Sequence, residues 1–196
     1  MDKVIKNFQN ITYGPAPEDS KEVTNWIKNL RNPNNIFING KFVKSFSSKK
    51  LNIINPSTNK KIATLSVASK KDVNTAVSAA KKAHIKWSKL SSFDRSKYLY
   101  ALARLIQKNS RFISVLETID NGKPIRETRD IDIPLVARHF YYHAGWAAEN
   151  TNNSDNSIGV VGQIIPWNFP FIKILFGFFK FLIQFVTSLL SSGAGP

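Results

Sequence analysis

One asparagine, Asn168, stands where its side chain could contact a ligand. It lies between Pro166 and Pro170, and the stretch before it, residues 159–165, is rich in β-branched and small apolar residues. Such a run is typical of a fully buried strand in a parallel sheet. Pro166 fixes its own φ, and Pro170 is expected to restrict Phe169 to an extended backbone. We therefore predict that Asn168 lies on a stiff loop at the carboxyl end of a strand, which is the edge where open α/β sheets bind ligands.

Two further pairs of residues have the chemistry of a site, but their spacing argues against one. Asp130 and Asp132 are two positions apart on a predicted helix, so they lie on different faces and are expected to be solvated or ion-paired acids. His139 and His143 are four apart, the spacing of two metal ligands on one helical face. No glutamate follows His139 and no third ligand is evident. The pattern therefore favours packed or surface histidines and predicts no metal site.

Composition narrows the class of protein. The 196 residues are 42% hydrophobic, enough for one domain with a core, and they include no cysteine, which excludes disulfides and thiolate metal sites. The formal net charge is +15, and an excess of this size can indicate nucleic acid or an anionic membrane as a partner. The lysines, however, are spread along the chain rather than grouped with aromatic residues and arginine. A nucleic-acid binder is therefore the weakest functional hypothesis.

The first part of the chain is predicted to form an arm followed by short strands. Residues 1–35 are interpreted as an amino-terminal arm with one short helix over 20–30. Two apolar runs flank Asn39-Gly40, which is the strongest short-range signal for a β-hairpin. The predicted strands fall within residues 36–43, 51–54 and 61–66.

Four helices are predicted between these strands and the Asn168 loop. The expected helix starts are Ser69 with Asp72 in a capping-box pattern, then Asp94, then Ser110. Asn121-Gly122 should end the third helix. The fourth is predicted over 125–148, where Pro134 should kink it or split it in two.

Several stretches of the chain resemble one known family. The run Gly-Gln-Ile-Ile-Pro-Trp-Asn-Phe-Pro, residues 162–170, closely resembles the signature loop of the NAD(P)-dependent aldehyde dehydrogenases, and the block 120–130 with 140–147 is similar to the same family. The resemblance implies an α/β fold: an incomplete amino-terminal part of the cofactor domain, with entry β-hairpins, a helical block and the start of a Rossmann-like parallel sheet. The opening Tyr-Gly-Pro-Ala-Pro-Glu, residues 13–18, resembles the sixteenth aldehyde dehydrogenase family.

The resemblance also implies roles for the residues of the loop. In the family, the asparagine at the position of Asn168 donates its amide to the oxyanion that forms when a cysteine thiolate attacks the aldehyde. Ile164, Ile165, Pro166 and Trp167 would line the nicotinamide side of NAD or NADP. This chain has no cysteine and lacks the family's glutamate base, glycine-rich turn and adenosine-binding lysine. We therefore expect weak cofactor binding and no activity from this chain alone.

The carboxyl-terminal stretch departs from the family pattern. Residues 171–190 are strongly apolar and long enough to span a bilayer, although Lys180 would then lie near the membrane centre. Three alternatives stay open: an amphipathic helix on a protein or membrane surface, the end of a truncated product, and a helix that binds in a groove of a partner protein. The predicted domains are an arm (1–35), a partial NAD(P)-binding domain (36–170) and a divergent apolar tail (171–196).

The sequence therefore predicts a truncated, inactive protein similar to the aldehyde dehydrogenases, located in the cytoplasm. The reaction implied by the resemblance is NAD(P)-dependent oxidation of an aldehyde to a carboxylic acid. The alternative is a non-catalytic interaction or membrane-associated protein that uses the helical block and the apolar tail. The expected partners are the aldehyde substrate of the intact family and a second copy or a membrane contacted through 171–196. The choice of aldehyde and of NAD or NADP stays open.

Overall fold

The computed structural model describes residues 6, 18–30, 35–149, 159–166 and 168–172. Within these ranges a short helix is followed by two antiparallel β-hairpins and a helical block. The strands are β1 (Asn35–Ile38), β2 (Lys41–Lys44), β3 (Lys50–Asn55) and β4 (Lys60–Ser66). The helices are α1 (Lys21–Lys28), α2 (Lys70–Trp87), α3 (Ser92–Lys108), α4 (Ser110–Asn121), α5 (Ile125–Glu127), a π-helical turn (Thr128–Asp132) and α6 (Ile133–Glu149).

Both hairpins form where the turn residues predicted them. Asn39 and Gly40 have φ values of 53° and 73°, and a two-residue hairpin turn needs positive φ at both of its central positions. β3 pairs with β4 in the same antiparallel sense, with a register shift between Ile53 and Ile54. The strands predicted within residues 36–43, 51–54 and 61–66 are confirmed.

A capping box begins α2, as the sequence predicted. The Asp72 backbone N–H donates to the Ser69 hydroxyl at 3.2 Å, and the Asp72 carboxylate accepts from the Ser69 backbone N–H at 2.7 Å. The same carboxylate also accepts from the Ser45 hydroxyl at 2.8 Å and from the Phe46 backbone N–H at 3.2 Å. Asp72 therefore fastens the start of α2 to the chain that leaves β2.

The next two helix starts differ from the prediction. α3 begins before Asp94, because the Ser91 hydroxyl accepts from the Asp94 backbone N–H at 3.0 Å and is the true cap. Ser110 is the first residue of α4 and not its cap. The cap position belongs to Asn109, whose side chain instead donates to the α3 backbone at 2.8 Å. Gly122, with φ of 82°, ends α4 in the left-handed conformation, as predicted.

The long fourth helix is split, as Pro134 led us to expect. α5 runs into the π-helical turn, and α6 starts at Ile133, so that Pro134 occupies the first turn of α6. The missing N–H of a proline needs no partner there. The split therefore removes the conflict between the proline and a continuous helix.

The main core lies between α3 and α6. Its buried residues come from these two helices and from the end of the described chain: Leu99, Ala103, Ile106, Ile133, Val136, Ala137, Phe140, Ala144, Ala147 and Ile172. Ile172, which the sequence assigned to the apolar tail, is thus a core residue. In the described part of the chain, no helix is both long and apolar enough to cross a bilayer.

The strand predicted over 159–165 is not assigned, and residues 159–166 run without regular secondary structure. A parallel strand forms only when a neighbouring strand accepts and donates its ladder hydrogen bonds. The four described strands pair only within their own hairpins. No described strand therefore lies beside 159–165.

Candidate functional site

The loop that carries Asn168 is open to solvent. Ile164 is 90% exposed, Pro166 and Asn168 are exposed, and Ile165 is half-buried. Trp167, the fifth residue predicted to belong to the site, lies outside the described residues. The described members of the proposed cofactor wall therefore follow one another on a single exposed segment.

The surroundings of this segment fit a flat, partly apolar ligand. A Cβ added at Gly159 or at Gly162 would meet nothing within 4 Å, so there is free space beside these two glycines. None of the described helices begins with a glycine-rich turn that could receive a pyrophosphate. The described residues therefore present one partly apolar surface and no helix start suited to a pyrophosphate.

Phe169 corrects the expectation of an extended backbone. Its φ is 60°, in the left-handed region, which costs a non-glycine residue about 1–3 kcal/mol and persists only when the surroundings hold it. The Lys123 ammonium lies 3.7 Å from the centroid of the Phe169 ring, a cation–π contact. Three residues further on, Ile172 is 5% exposed and packs in the α3–α6 core. The contacts of Phe169 and Ile172 thus outweigh the local backbone preference.

Lys123 is itself held by two acids. Its side chain is 14% exposed, and its ammonium lies 2.5 Å from the Asp132 carboxylate and 3.6 Å from that of Glu127. Asp132 is almost completely buried, whereas Glu127 is exposed. A buried ion pair of this kind restrains the positions of both side chains.

Glu117, on α4, is a second buried acid beside this pair. The pKa of Glu117 is raised to about 7, chiefly by burial and to a smaller extent by the neighbouring carboxylates of Asp132 and Asp120, while the Phe171 backbone N–H and the Lys123 ammonium act in the opposite direction. Burial also raises the pKa of Asp120. Glu117 Oε1 and Asp132 Oδ1 are buried without a hydrogen-bond partner among the described residues. Asp132 and Glu117 therefore lie close to the same cation, Lys123.

Asp130 and Asp132 are ion-paired, as predicted. Asp130 accepts from the Arg129 guanidinium at 2.6 Å, and Arg129 also donates to Glu18 at 3.1 Å. Asp132 pairs with Lys123 instead. Since the two acids have different partners, the structure does not bring them together as an acid–base pair.

The histidine pair makes a local helical contact. His143 Nδ1 lies 2.9 Å from the His139 carbonyl oxygen, and the ring centroids are 6.3 Å apart. Burial lowers the pKa of His143, which favours the neutral ring. Over the ranges that the structure describes, no group of three His, Asp or Glu side chains could hold a metal ion.

Sequence reasoning missed Glu117 and Lys123. Both lie in the helical block, and both are far along the chain from Asn168. The only sequence signal was a glutamate beside the apolar residues that α4 buries, such as Val115. Nothing in the local sequence indicates that Phe169 lies over Lys123.

The comparisons with known proteins decide the family. The family model described as the aldehyde dehydrogenase family matches residues 42–183, which include the second hairpin, the helical block and Asn168. The chain belongs to the aldehyde dehydrogenase family. Family membership accounts for the α/β fold inferred from the loop sequence.

Individual members of the family share the same part of the fold. An aldehyde dehydrogenase of Alternaria alternata is 40% identical over 153 residues, which are 71% of this chain and 31% of that protein. The mitochondrial aldehyde dehydrogenase family 2 member B4 of Arabidopsis thaliana is 39% identical over 151 residues, 70% of this chain and 28% of the relative. The chain therefore spans about a third of the length of the curated relatives it matches.

Solved structures agree with this assignment. The NAD+ complex of the aldehyde dehydrogenase from Bacillus cereus superposes with a TM-score of 0.77 at 30% identity, covering 86% of this chain and 36% of the enzyme. The fold predicted from the sequence, an incomplete amino-terminal part of an aldehyde dehydrogenase, is thereby confirmed.

Proposed function

We propose that this chain carries the oxyanion-donating part of an aldehyde dehydrogenase site, with Asn168 as the donor. The observation that supports this most strongly is the exposed Asn168 side chain, which directly precedes a segment held by Lys123 and by the core residue Ile172. An oxyanion donor must be accessible to substrate and yet fixed in direction. Its exposure supports the first property, and the contacts of Phe169 and Ile172 support the second.

The proposed chemistry is the stabilisation of negative charge. When a thiolate adds to an aldehyde, the carbonyl oxygen becomes an anion, and an amide N–H aimed at that oxygen lowers the barrier. Ile164, Ile165, Pro166 and Trp167 are proposed to line the nicotinamide side of NAD or NADP. The cofactor, when bound, supplies a hydride acceptor. The residues of this chain would bind its ring and exclude water from one side of it.

The chain alone is proposed to be inactive. The printed sequence contains no cysteine, so no thiolate is available to form the covalent adduct from which hydride leaves. Cofactor affinity is proposed to be weak, because only one wall of the nicotinamide site is present among the described residues. The purified chain should reduce neither NAD nor NADP in the presence of aldehydes, and calorimetry should show no micromolar binding.

Two finer assignments are also proposed. Membership of the sixteenth aldehyde dehydrogenase family is supported by the opening at residues 13–18. The division into an arm (1–35), a partial NAD(P)-binding domain (36–170) and an apolar tail (171–196) is supported by the sequence pattern. Association through the tail, with a second copy or a membrane, is proposed on its apolar composition alone.

A non-catalytic interaction role is the second candidate, and one observation favours it. Phe37, Phe42 and Phe46 are each more than 60% exposed, and the rings of Phe37 and Phe42 contact each other across the first hairpin at 5.2 Å. Grouped exposed aromatic side chains are typical of protein-binding surfaces. Replacing the three phenylalanines by serine should lower any self-association seen by light scattering.

The oxyanion role can be tested in a chimera. Residues 36–170 would replace the corresponding segment of the Bacillus cereus enzyme, whose remaining chain supplies the rest of the site. If Asn168 is the donor, Asn168→Ala in an active chimera should lower kcat by about 10²–10³-fold, whereas Asn74→Ala, an exposed asparagine on α2, should leave kcat unchanged. A chimera that keeps its kcat after Asn168→Ala would contradict the proposal, as would a folded chimera that oxidises no aldehyde.

A further inference from the structure

Three contacts from different parts of the molecule converge on the residues that follow Asn168. The Lys123 ammonium lies 3.7 Å from the Phe169 ring centroid. The Phe171 backbone N–H donates to the Glu117 carboxylate. Ile172 is buried in the α3–α6 core. The chain is therefore held at three of the four positions after Asn168, while residues 159–166 on its other side have no regular secondary structure.

The contact with Phe169 has a direct consequence for the backbone. A bulky residue before a proline does not adopt a φ of 60° by local preference. Lys123 cannot move to follow a different ring position, because it is paired at 2.5 Å with the buried carboxylate of Asp132. The ring must therefore come to the ammonium, and the backbone at Phe169 turns left-handed to bring it there.

The turn at Phe169 determines where the preceding residue points. Since Asn168 and Phe169 share a peptide unit, the planar bond between them transmits the orientation of Phe169 to Asn168. A different φ at Phe169 would rotate that peptide and carry Asn168 to another direction.

We propose that Glu117 and Lys123 are positioning residues that fix the direction of the Asn168 amide by clamping the two phenylalanines after it. Neither touches the reacting atoms. The inference rests on the proposed role of Asn168 as an oxyanion donor, and it extends the site to a cluster of buried charges on α4 and the π-helical turn.

The clamp is sensitive to pH through Glu117. The charged groups that face it are Asp120 on its own helix, Lys123 on the following loop and Asp132 on the π-helical turn. An ionised Glu117 accepts the Phe171 N–H strongly, and a protonated one accepts it more weakly. The backbone at Phe171 should therefore respond to pH near neutrality, where the pKa of Glu117 lies.

Solution NMR of the full, isotopically labelled chain tests the clamp. In the unaltered chain, the Phe171 backbone amide and the Asn168 side-chain amide should titrate together with a midpoint near 7. Glu117→Gln keeps an acceptor oxygen but cannot ionise, so the Phe171 amide should stay protected from exchange and both titrations should vanish. Glu117→Ala removes the acceptor, and Phe171 exchange should accelerate by about fivefold.

Lys123→Met has a close control within the chain. Lys97 also contacts an aromatic ring, at 4.6 Å from the Phe93 centroid, and pairs with Asp94 at 2.9 Å, but on the exposed surface. Lys123→Met should shift the Asn168 side-chain amide signals and abolish the Overhauser contact between residue 123 and the Phe169 ring. Lys97→Met and the exposed control Glu22→Gln should leave Asn168 unchanged.

Two outcomes would overturn the inference: Asn168 titrating in Glu117→Gln as it does in the unaltered chain, or Asn168 signals unmoved by Lys123→Met. If Lys123→Met loses the core signals of Ala103 and Val136, the Glu117→Gln titration alone decides. These measurements need neither cofactor nor turnover. A negative NMR result would contradict the clamp without bearing on the oxyanion role of Asn168. A chimera whose kcat is insensitive to Asn168→Ala would contradict the oxyanion role without bearing on the clamp.

Discussion

The α3–α6 core and the Asn168 loop differ in how many independent contacts hold each residue. In the core, Ile133 and Val136 are fully buried and packed from both helices. In the loop, Ile164 is 90% exposed, and no described strand pairs with residues 159–166. The contacts that hold the chain beside Asn168 come through Phe169, Phe171 and Ile172.

The residues that stabilise the fold and the residue proposed to act in the chemistry therefore lie in different parts of the molecule. Packing residues can be exchanged for others of similar shape, whereas an oxyanion donor must stay accessible, so the chain places it at the end of an anchored segment and not inside the core. The comparison predicts large effects on stability in the core, intermediate effects in the charged cluster, and almost none at Asn168.

The largest effect on stability should come from truncating a side chain in the core. A truncation in the loop provides the comparison. Ile133→Ala, at a site with 0% exposure, should lower the free energy of unfolding by about 2–5 kcal/mol. Ile164→Ala in the loop and Ile131→Ala, 58% exposed in the π-helical turn, should each change it by less than about 0.5 kcal/mol. Urea denaturation would measure all three, and a loss at Ile164 equal to that at Ile133 would remove the distinction.

The next largest effect should come from Asp72, which joins α2 to the first hairpin. Asp72→Asn weakens hydrogen bonds to buried donors and should lower the free energy of unfolding by about 1–3 kcal/mol. Burial by itself raises the pKa of Asp72, but hydrogen bonds from Ser69, Ser45 and Phe46 outweigh it and lower the pKa to about 2. Since the folded-state pKa lies below the ordinary 3.8, this contribution is complete above about pH 4 and is lost as pH falls towards 2.

Denaturation of Asp72→Asn across the same acidic range supplies the control. The part of the acid sensitivity that belongs to Asp72 should be missing from the variant. Equal acid sensitivity in both proteins would show that the hydrogen bonds at Asp72 do not stabilise its charged form.

A smaller effect on the free energy of unfolding, with the opposite dependence on pH, is expected at Glu117. Its folded-state pKa of about 7 exceeds the ordinary 4.5, so the folded state binds more protons over this interval and stability falls as pH rises from about 4.5 to 7. Glu117→Gln should remove this fall and leave the variant more stable than the unaltered chain by about 1–2 kcal/mol at pH 8. A variant that is less stable at pH 8 would mean that the ionised carboxylate is favourable where it lies.

The smallest effect on stability should be at the proposed donor itself. Asn168→Ala should change the free energy of unfolding by less than about 0.5 kcal/mol, because the side chain is exposed and makes no hydrogen bond to another described residue. The thermal midpoint of the variant, compared with that of Asn74→Ala, would check this. A clear loss at Asn168 alone would indicate a structural role for its amide.

Short-range sequence patterns predicted a hairpin turn, a helix start and a helix end. Asn39-Gly40 marked the first hairpin, Ser69 with Asp72 marked a capping box, and Gly122 marked a helix end. Each depends on backbone chemistry within a few residues. Ser110 was wrong as a cap because the helix already includes it and the cap position falls one residue earlier, on Asn109.

The site was only partly predictable, because its geometry depends on residues that are distant in the chain. The expectation of an extended Phe169 considered only the following proline, and the contact with Lys123 overrode it. The strand over 159–165 was predicted from composition alone, yet a strand also needs a partner, which the described hairpins do not provide. Glu117 was overlooked because its role depends on Phe171 and Asp132.

Amide hydrogen exchange of the full chain tests the central claim most directly, namely that contacts on the carboxyl side of Asn168 hold its loop. We predict strong protection for residues 99–106 and 136–147, measurable protection at Phe171, and faster exchange over 160–165 than in the α3–α6 core. Protection over 160–165 equal to that of the α3–α6 core would contradict the account, because it would show that a hydrogen-bonded strand fixes Asn168 from the amino-terminal side instead.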